Sequence, residues 1–376
     1  MTDAAKLLCE LIALPSVNPA FLPPNDARGG EGRVADFLAA QAAKSGLDVD
    51  FQKVLPGRCN VLAVLSPPGK FQQRLFLAPH LDTVNVVSEK QFIPRSAEGR
   101  IYGRGACDAK GSIAAMMTAL GGLARQGRRP AATEIVLAGL VDEEHAQAGS
   151  RALAAGGGGA ALAIVGEPTR LQIVTAHKGT LWVRLQTRGK AAHGSCPHLG
   201  RNAVNEMARI VSLLESDYAR QLLRQRHPLL GTPTLSVGFI QGGSQPNIVP
   251  DSCVAGADRR TLPGESEGGV LAEMRGWLRR HGLRAALTSD KSAHCLPLET
   301  NPRLPLVRRF LQIARQKKPA GVDYFCDASV LARGGIPSVV FGPGDIAQAH
   351  TADEWISQKS LEAAAALLLQ FLQSLP

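Results

Sequence analysis

Two histidines and a group of acidic residues stand where apolar runs stop. His80 and Asp82 follow a run containing Leu75–Leu77, Glu143 and Glu144 follow Glu134–Val141, Glu167 follows Leu162–Val165, and His350 comes shortly after Ser338–Phe341. Asp108 sits in a glycine-rich turn ahead of Ile113–Leu123. Imidazoles and carboxylates without cysteine suit zinc or a similar first-row divalent ion. Five such side chains exceed one tetrahedral site. With Asp108 shared they divide into His80, Asp108, Glu167 and Asp108, Glu144, His350, each set leaving a position open for water. Two cations about 3.5–4 Å apart can hold a hydroxide and clamp a tetrahedral intermediate. Asp82, two positions from His80, is placed to accept the free imidazole N–H and fix the ring. Glu143, beside a ligand candidate, is placed to take a proton from water and pass it to a leaving nitrogen.

The elements that must position these residues alternate between strand and helix. Glu134–Val141, Leu162–Val165 and Ser338–Phe341 read as buried strands, and Ile113–Leu123 and Leu361–Leu375 as helices. Short apolar runs alternating with helices predict an α/β fold, a mostly parallel sheet with helices on both faces. In such sheets ligands bind beyond the carboxyl ends of the strands, so the chemistry-bearing residues converge if the strands are read correctly. Gly156–Gly159 reads as a loop.

The texture changes near His177. Leu181, Val183 and Leu185 alternate with Trp182, Arg184 and Gln186, a period-two strand pattern. A helix from about Asn202 to Leu223, strands over Thr234–Ile240 and Ile248–Ala257, and a helix from about Glu267 to His281 follow. This β-α-β-β-α-β order predicts an inserted α+β, ferredoxin-like domain. The boundaries expected are 1–177 for the first part of the large domain, 178–292 for the insert and 293–376 for the second part.

The bulk properties exclude more than they assign. The 376 residues carry a formal charge of +10, with the basic residues scattered and no long Lys/Arg run. This argues against nucleic acid as a partner and for a solvated basic surface that mildly attracts anions. The seven cysteines, Cys9, Cys59, Cys107, Cys196, Cys253, Cys295 and Cys326, are odd in number and widely spread. That pattern predicts reduced thiols and a cytoplasmic setting. The N-terminal apolar positions have helical spacing interrupted by Glu10, so no secretory signal is expected. No segment is apolar enough to predict a membrane span.

Taken together, Pro79-His-Leu-Asp-Thr-Val84, Gly103-Arg-Gly-Ala-Cys-Asp-Ala-Lys-Gly111, Asp142-Glu-Glu144, Gly166-Glu-Pro-Thr169 and Ala349-His-Thr-Ala-Asp-Glu354 resemble the di-zinc aminoacylase-type metallopeptidase family. That family includes acetylornithine deacetylases, succinyl-diaminopimelate desuccinylases and bacterial glutamate carboxypeptidase. The resemblance implies His80, Asp108, Glu144, Glu167 and His350 as ligands of two Zn2+ ions, for which Co2+ can substitute, with Asp108 bridging. It implies Glu143 as general base and Asp82 as the residue orienting the first histidine. It also implies that the insert is a lid and dimerisation domain. From that domain His193 would reach the partner subunit's site and stabilise the oxyanion, Asn247 would lie near the substrate, and Arg260 would hold the substrate carboxylate. Arg259 competes with Arg260, pointing to the other face if this stretch is a strand. Glu167 looks like the deacylase and desuccinylase branches, and the stretch from Gly342 to Glu354 looks most like acetylornithine or acetylcitrulline deacetylase. The implied activity is hydrolysis of an N-acyl amino acid by a homodimer, with a desuccinylase or a dipeptidase of the same family as alternatives. Cys107 reads as a small packing side chain, Asp327 as either near the substrate or capping a helix, Lys178-Gly179 as a hinge, and His177 as structural.

Overall fold

A computed structural model describes residues 2–156, 159–290 and 295–376. The chain divides into two compact units, one of Met1–Thr175, Thr300–Ala320 and Cys326–Pro376, the other of Ala176–Glu299 with Gly321–Phe325. The first division therefore falls at Thr175/Ala176, two residues before the expected one. The second falls at Glu299/Thr300, whereas the expected 292/293 boundary lies among residues outside those described, as do Gly157 and Gly158 of the expected loop. The short return Gly321–Phe325 also belongs to the second unit, so 293–376 is not one piece.

The first unit is α/β. Its central sheet runs Asp48–Leu55, Arg58–Leu65, Thr133–Gly139, Gln73–Ala78, Ala160–Val165 and Ser338–Val340 in spatial order. The last four of these are mutually parallel. Thr133–Gly139 is buried at every position and Ala160–Val165 at all but one, the condition for strands covered on both faces and the reason they read as unbroken apolar runs. The first two strands form an antiparallel hairpin joined antiparallel to the parallel set. Helix Lys110–Arg125 packs against Gln358–Gln373 and Asp3–Ile12. Phe310 stacks against Phe341 and Phe371 with centroids 5.0 and 4.6 Å apart. Among the described residues no helix is long and apolar enough to cross a membrane.

The second unit carries an antiparallel sheet in the order Thr234–Gly242, Ser252–Thr261, Gly179–Arg188, Ala286–Ser289. Helices Ala203–Leu213 and Glu267–Arg280 supply the buried Met207, Ile210, Met274 and Trp277 to its core. Gly179–Arg188 buries alternate side chains, as period two requires. Lys178 and Gly179, expected at a hinge, lie inside this unit: the Lys178 ammonium pairs with Asp323 at 2.8 Å, and a Cβ on Gly179 would meet Thr261 Oγ1 at 2.5 Å.

His177 is fully buried, its Nδ1 donating to the Lys178 carbonyl at 2.8 Å, while Nε2 has no hydrogen-bond partner among the described residues. Burial holds its pKa down to about 4. The unfolded chain takes up this proton near pH 6.5 and the folded chain does not, so stability is complete above pH 6.5 and is lost progressively as pH falls toward 4. Replacing His177 with Gln should remove that contribution. Urea unfolding at pH 7 and pH 5 should show wild type losing on the order of 2 kcal/mol more than His177→Gln on acidification. Parallel losses would show that His177 does not titrate as stated.

Candidate functional site

The carboxyl ends of the parallel strands deliver the side chains. Gln73–Ala78 leads into His80 and Asp82, Thr133–Gly139 into Asp142, Glu143 and Glu144, Ala160–Val165 into Glu167, and Ser338–Val340 into the loop carrying His350. Asp108 arrives from the loop before helix Lys110–Arg125. The structure brings all five ligand candidates together in two overlapping sets, His80, Asp108, Glu167 and Asp108, Glu144, His350, with one ligand atom of each residue within 4.8 Å of the others in its set.

Asp108 stands between the sets. Its Oδ1 faces His80 Nε2 at 3.0 Å and its Oδ2 faces His350 Nε2 at 3.3 Å. Glu167 Oε1 lies 3.9 Å from His80 Nε2, and Glu144 lies 3.3 Å from His350 Nε2. His80 is buried and His350 is exposed.

The electrostatics are those of crowded carboxylates. Burial raises Glu143, Glu144 and Glu167, with Glu143 and Glu167 pushed well above the usual carboxylate range and neighbouring carboxylates adding to the effect. Burial would also raise Asp108, yet His350 and His80 on its two oxygens hold it well below that range. Burial pulls His80 down, but Asp108 and Asp82 outweigh it and hold the imidazole well above its usual value. Hydrogen bonds to Asp108 and Glu144 raise His350 to about 10. A divalent cation in each set fits this donor arrangement. Among the described residues Glu167 Oε1 is buried without a hydrogen-bond partner, and buried carboxylate oxygens short of donors are costly unless a cation meets them.

Asp82 does more than orient a ring. His80 Nδ1 is nearer the Asp82 main-chain carbonyl, at 3.0 Å, than its carboxylate, at 3.5 Å. A carbonyl only accepts, so Nδ1 donates and Nε2 is the nitrogen free to bind. The Asp82 carboxylate accepts instead from the backbone N–H groups of Glu143 and Glu144, both at 3.1 Å, and from Asn18 Nδ2 at 2.8 Å. It therefore holds the main chain of the base candidate and of a ligand candidate.

Residues 76–374 match the model of peptidase family M20/M25/M40. The chain belongs to this family. It is 32% identical over 352 residues to an acetylornithine deacetylase of Myxococcus xanthus, covering 89% of each chain, and 29% identical over 392 residues to one of Proteus mirabilis, covering 98% of this chain and 96% of the relative. Among solved structures, a Bacillus cereus aminopeptidase superposes with TM-score 0.78 at 21% identity over 99% of this chain and 97% of that one. A dinuclear metal-binding peptidase of Bacillus subtilis superposes with TM-score 0.69 at 14% identity over 98% and 96%. This M20/M25/M40 chain is a hydrolytic enzyme with a candidate metal site.

The remaining site candidates of this family member belong to the second unit. His193 is exposed, and its Nδ1 accepts from the Ser195 N–H at 3.2 Å and lies 2.7 Å from Ser195 Oγ. The neutral ring then carries its proton on Nε2. The adjoining backbone is knitted to the Asn247 loop by Gly194 N–H to the Asn247 carbonyl at 2.7 Å and Val249 N–H to the Ala192 carbonyl at 2.9 Å. Arg259 is fully buried and ion-paired with Glu265, whereas Arg260, on the opposite face, is partly exposed and lies 3.0 Å from Asp258. The structure does not bring Arg260 to His193 within this unit. Ser252 pairs with Arg188 at one end of the sheet and Arg260 with Thr180 at the other, a separation of roughly 26 Å at 3.3 Å per residue. Of the softer candidates, Cys107 is buried, with its thiol pushed up by that burial. Asp327 occupies a helix N-cap position without a side-chain cap bond and accepts from Ser150 Oγ at 2.6 Å instead. Burial raises its pKa to about 7.

Sequence reasoning missed the support behind the site. Asn18 Nδ2 bridges Asp82 Oδ2 and Asp142 Oδ1, the latter at 3.0 Å, while Arg58 grips Glu31 with two nitrogens and reaches Asp142 Oδ1 at 3.1 Å. Asp142 adopts φ 70 and His350 φ 62, a region non-glycine residues enter when the surroundings impose it. Nothing in the local sequence marks these contacts, since the burial of the polar Asn18 shows only in the structure. Asn18→Ala leaves two buried carboxylate oxygens short of a donor and should destabilise the metal-free protein by about 1–3 kcal/mol. Asn18→Asp, which sets a third carboxyl between two others, should destabilise it more. Urea unfolding of both variants checks this, and an unchanged midpoint for Asn18→Ala would contradict it.

Proposed function

We propose that this chain hydrolyses the amide bond of N-acyl amino acids, acetylornithine or acetylcitrulline among them, as a homodimer holding two zinc ions per chain. The observation that supports it most directly is Asp108 presenting one oxygen to each of two histidine–carboxylate sets. His80, Asp108 and Glu167 would hold one ion, and Asp108, Glu144 and His350 the other, with Co2+ able to substitute. Such ions, when bound, acidify water and polarise the scissile carbonyl. The acetylornithine deacetylase relatives favour the deacylase reading over a desuccinylase or dipeptidase.

The protein's own groups would do the rest. Glu143 sits next to a ligand candidate on a backbone pinned by Asp82. Its carboxylate takes the proton of the attacking water and returns it to the leaving nitrogen, a transfer suited to a carboxyl raised by burial. A partly exposed guanidinium such as Arg260 can grip the substrate carboxylate with parallel hydrogen bonds. His193, with its proton on Nε2, can donate to the developing oxyanion.

The second unit also supports the dimer. His193 and Asn247 sit at one end of its sheet and Arg260 at the other, too far apart for one small amino acid to touch both from a single copy. If both act on one substrate molecule, they come from different copies. The outer strand Thr234–Gly242 has an open edge and exposes Phe239 and Ile240, a surface suited to pairing with a second chain.

Three measurements test the proposal. Assayed with excess zinc or cobalt on N-acetylornithine, N-acetylcitrulline, N-acetylmethionine, N-succinyl-diaminopimelate and a dipeptide, the enzyme should prefer an acetylated amino acid. Glu143→Gln should lower turnover about 10²–10⁴-fold with the metal content unchanged at two per chain. Unreduced turnover would remove Glu143 as the base. His193→Ala and Glu143→Gln, each impaired alone, should regain activity when their subunits are mixed and allowed to exchange, because one hybrid site is intact. No regain after demonstrated exchange would count against a shared site.

A further inference from the structure

We infer that Glu354 is a positioning residue that sets the two oxygens of Asp108 in place for the metal pair; this rests on the two-metal reading above. Glu354 is almost completely buried. Its Oε1 accepts from the backbone N–H groups of Cys107 at 2.8 Å and Asp108 at 3.0 Å, and its Oε2 from the Gly105 N–H at 2.9 Å and Arg104 Nη1 at 2.8 Å. The Glu354 main-chain carbonyl takes the Gly103 N–H at 3.0 Å. One residue thus receives the amides of Gly103, Gly105, Cys107 and Asp108 and the Arg104 guanidinium, including the amide of the shared ligand itself.

Both neighbours in sequence strengthen the assignment. Four residues before Glu354 stands His350, which faces Asp108 Oδ2. Directly after it, Trp355–Ser357 pairs antiparallel with Arg100–Tyr102, the strand that leads into the same turn. Glu354 therefore fastens the segment carrying one histidine to the turn carrying the carboxylate it faces, across about 250 residues of chain. Only an ionised carboxylate offers four acceptor sites within this span. An amide of the same shape turns an NH2 toward at least one backbone N–H, donor against donor, and the turn must shift. Since Asp108 has to present one oxygen to each set, a small rotation of its main chain loosens both.

The experiment is zinc titration of the metal-stripped full chain against a chromophoric chelator, for wild type, Glu354→Gln, Glu354→Asp, Asp108→Asn and the double variant Glu354→Gln/Asp108→Asn. Thermal melting of each metal-free protein runs alongside. Glu354→Gln should bind zinc about 10–100-fold more weakly, the range for residues that orient ligands. Glu354→Asp, which keeps the charge but withdraws it by one methylene, should also weaken binding while folding. In the Asp108→Asn background Glu354→Gln should cost no further affinity, because its effect passes through Asp108. Zinc affinity equal to wild type in both Glu354 variants would overturn the inference alone. So would a full additional loss in the Asp108→Asn background, which marks general damage to the fold. A wild type that binds no zinc would overturn the two-metal reading and this inference together.

Discussion

Carboxylates pressed together under the protein surface are the constraint on which the first unit depends. Asp108 lies within 4.8 Å of Glu167 in one set and of Glu144 in the other, ligand atom to ligand atom, around two imidazoles, and Glu143 adds a fourth acidic group next to Glu144 in the chain. Such a cluster repels itself, and burial makes the repulsion stronger. It persists in the metal-free chain because His80 and His350 face Asp108, and His350 also faces Glu144, while the acidic residues behind the cluster are tied to backbone amides and an arginine. Asp82 accepts the amides of Glu143 and Glu144. Further back, Arg58 sits between Glu31 and Asp142. Among the described residues no Lys or Arg ion-pairs with Asp108, Glu144 or Glu167; their oxygens face the two histidines instead, the side chains that would share a metal with them.

How much of this was legible in the sequence depends on the range of the interaction. The parallel strands could be read because each is apolar through its length, and Thr133–Gly139 is buried at every position. Four of the five ligand candidates could be read because they follow the carboxyl end of such a run, and Asp108 because it sits in a glycine-rich turn ahead of a helix. The hairpin Asp48–Leu65 gave no comparable signal: its first strand buries no position completely, so neither period two nor an unbroken apolar run marks it. Asn18, Glu31 and Arg58 were illegible for a different reason. Each works through partners 27 to 124 residues away, and no local spacing encodes a hydrogen bond across that distance.

The boundaries between the units show the same effect. The texture of the sequence changes near His177, and the two compact units divide at Thr175/Ala176, with Gly321–Phe325 in the second. That return is five residues long, too short to carry a periodic pattern. It is tied in by Lys178, whose backbone N–H meets the Val322 carbonyl and whose ammonium meets Asp323. A contact between residues some 145 positions apart, rather than any composition shift, decides where the segment belongs.

The cluster cannot by itself choose a substrate. Structures similar to this one at TM-scores of 0.69 to 0.78 include an aminopeptidase and a dinuclear metal-binding peptidase, while the curated relatives near 30% identity are acetylornithine deacetylases. A pair of cations polarises any amide placed before it, so discrimination must come from groups that recognise what flanks the amide. An aminopeptidase substrate brings a free ammonium group near the scissile bond and needs an acidic or carbonyl partner there. An N-acyl amino acid brings a neutral nitrogen and a free carboxylate and needs a guanidinium or ammonium. In the second unit Arg259 is already committed, fully buried against Glu265, while Arg260 on the other face remains partly exposed. Strand alternation thus separates a structural arginine from an available one by a single residue. The deacylase reading needs the available one.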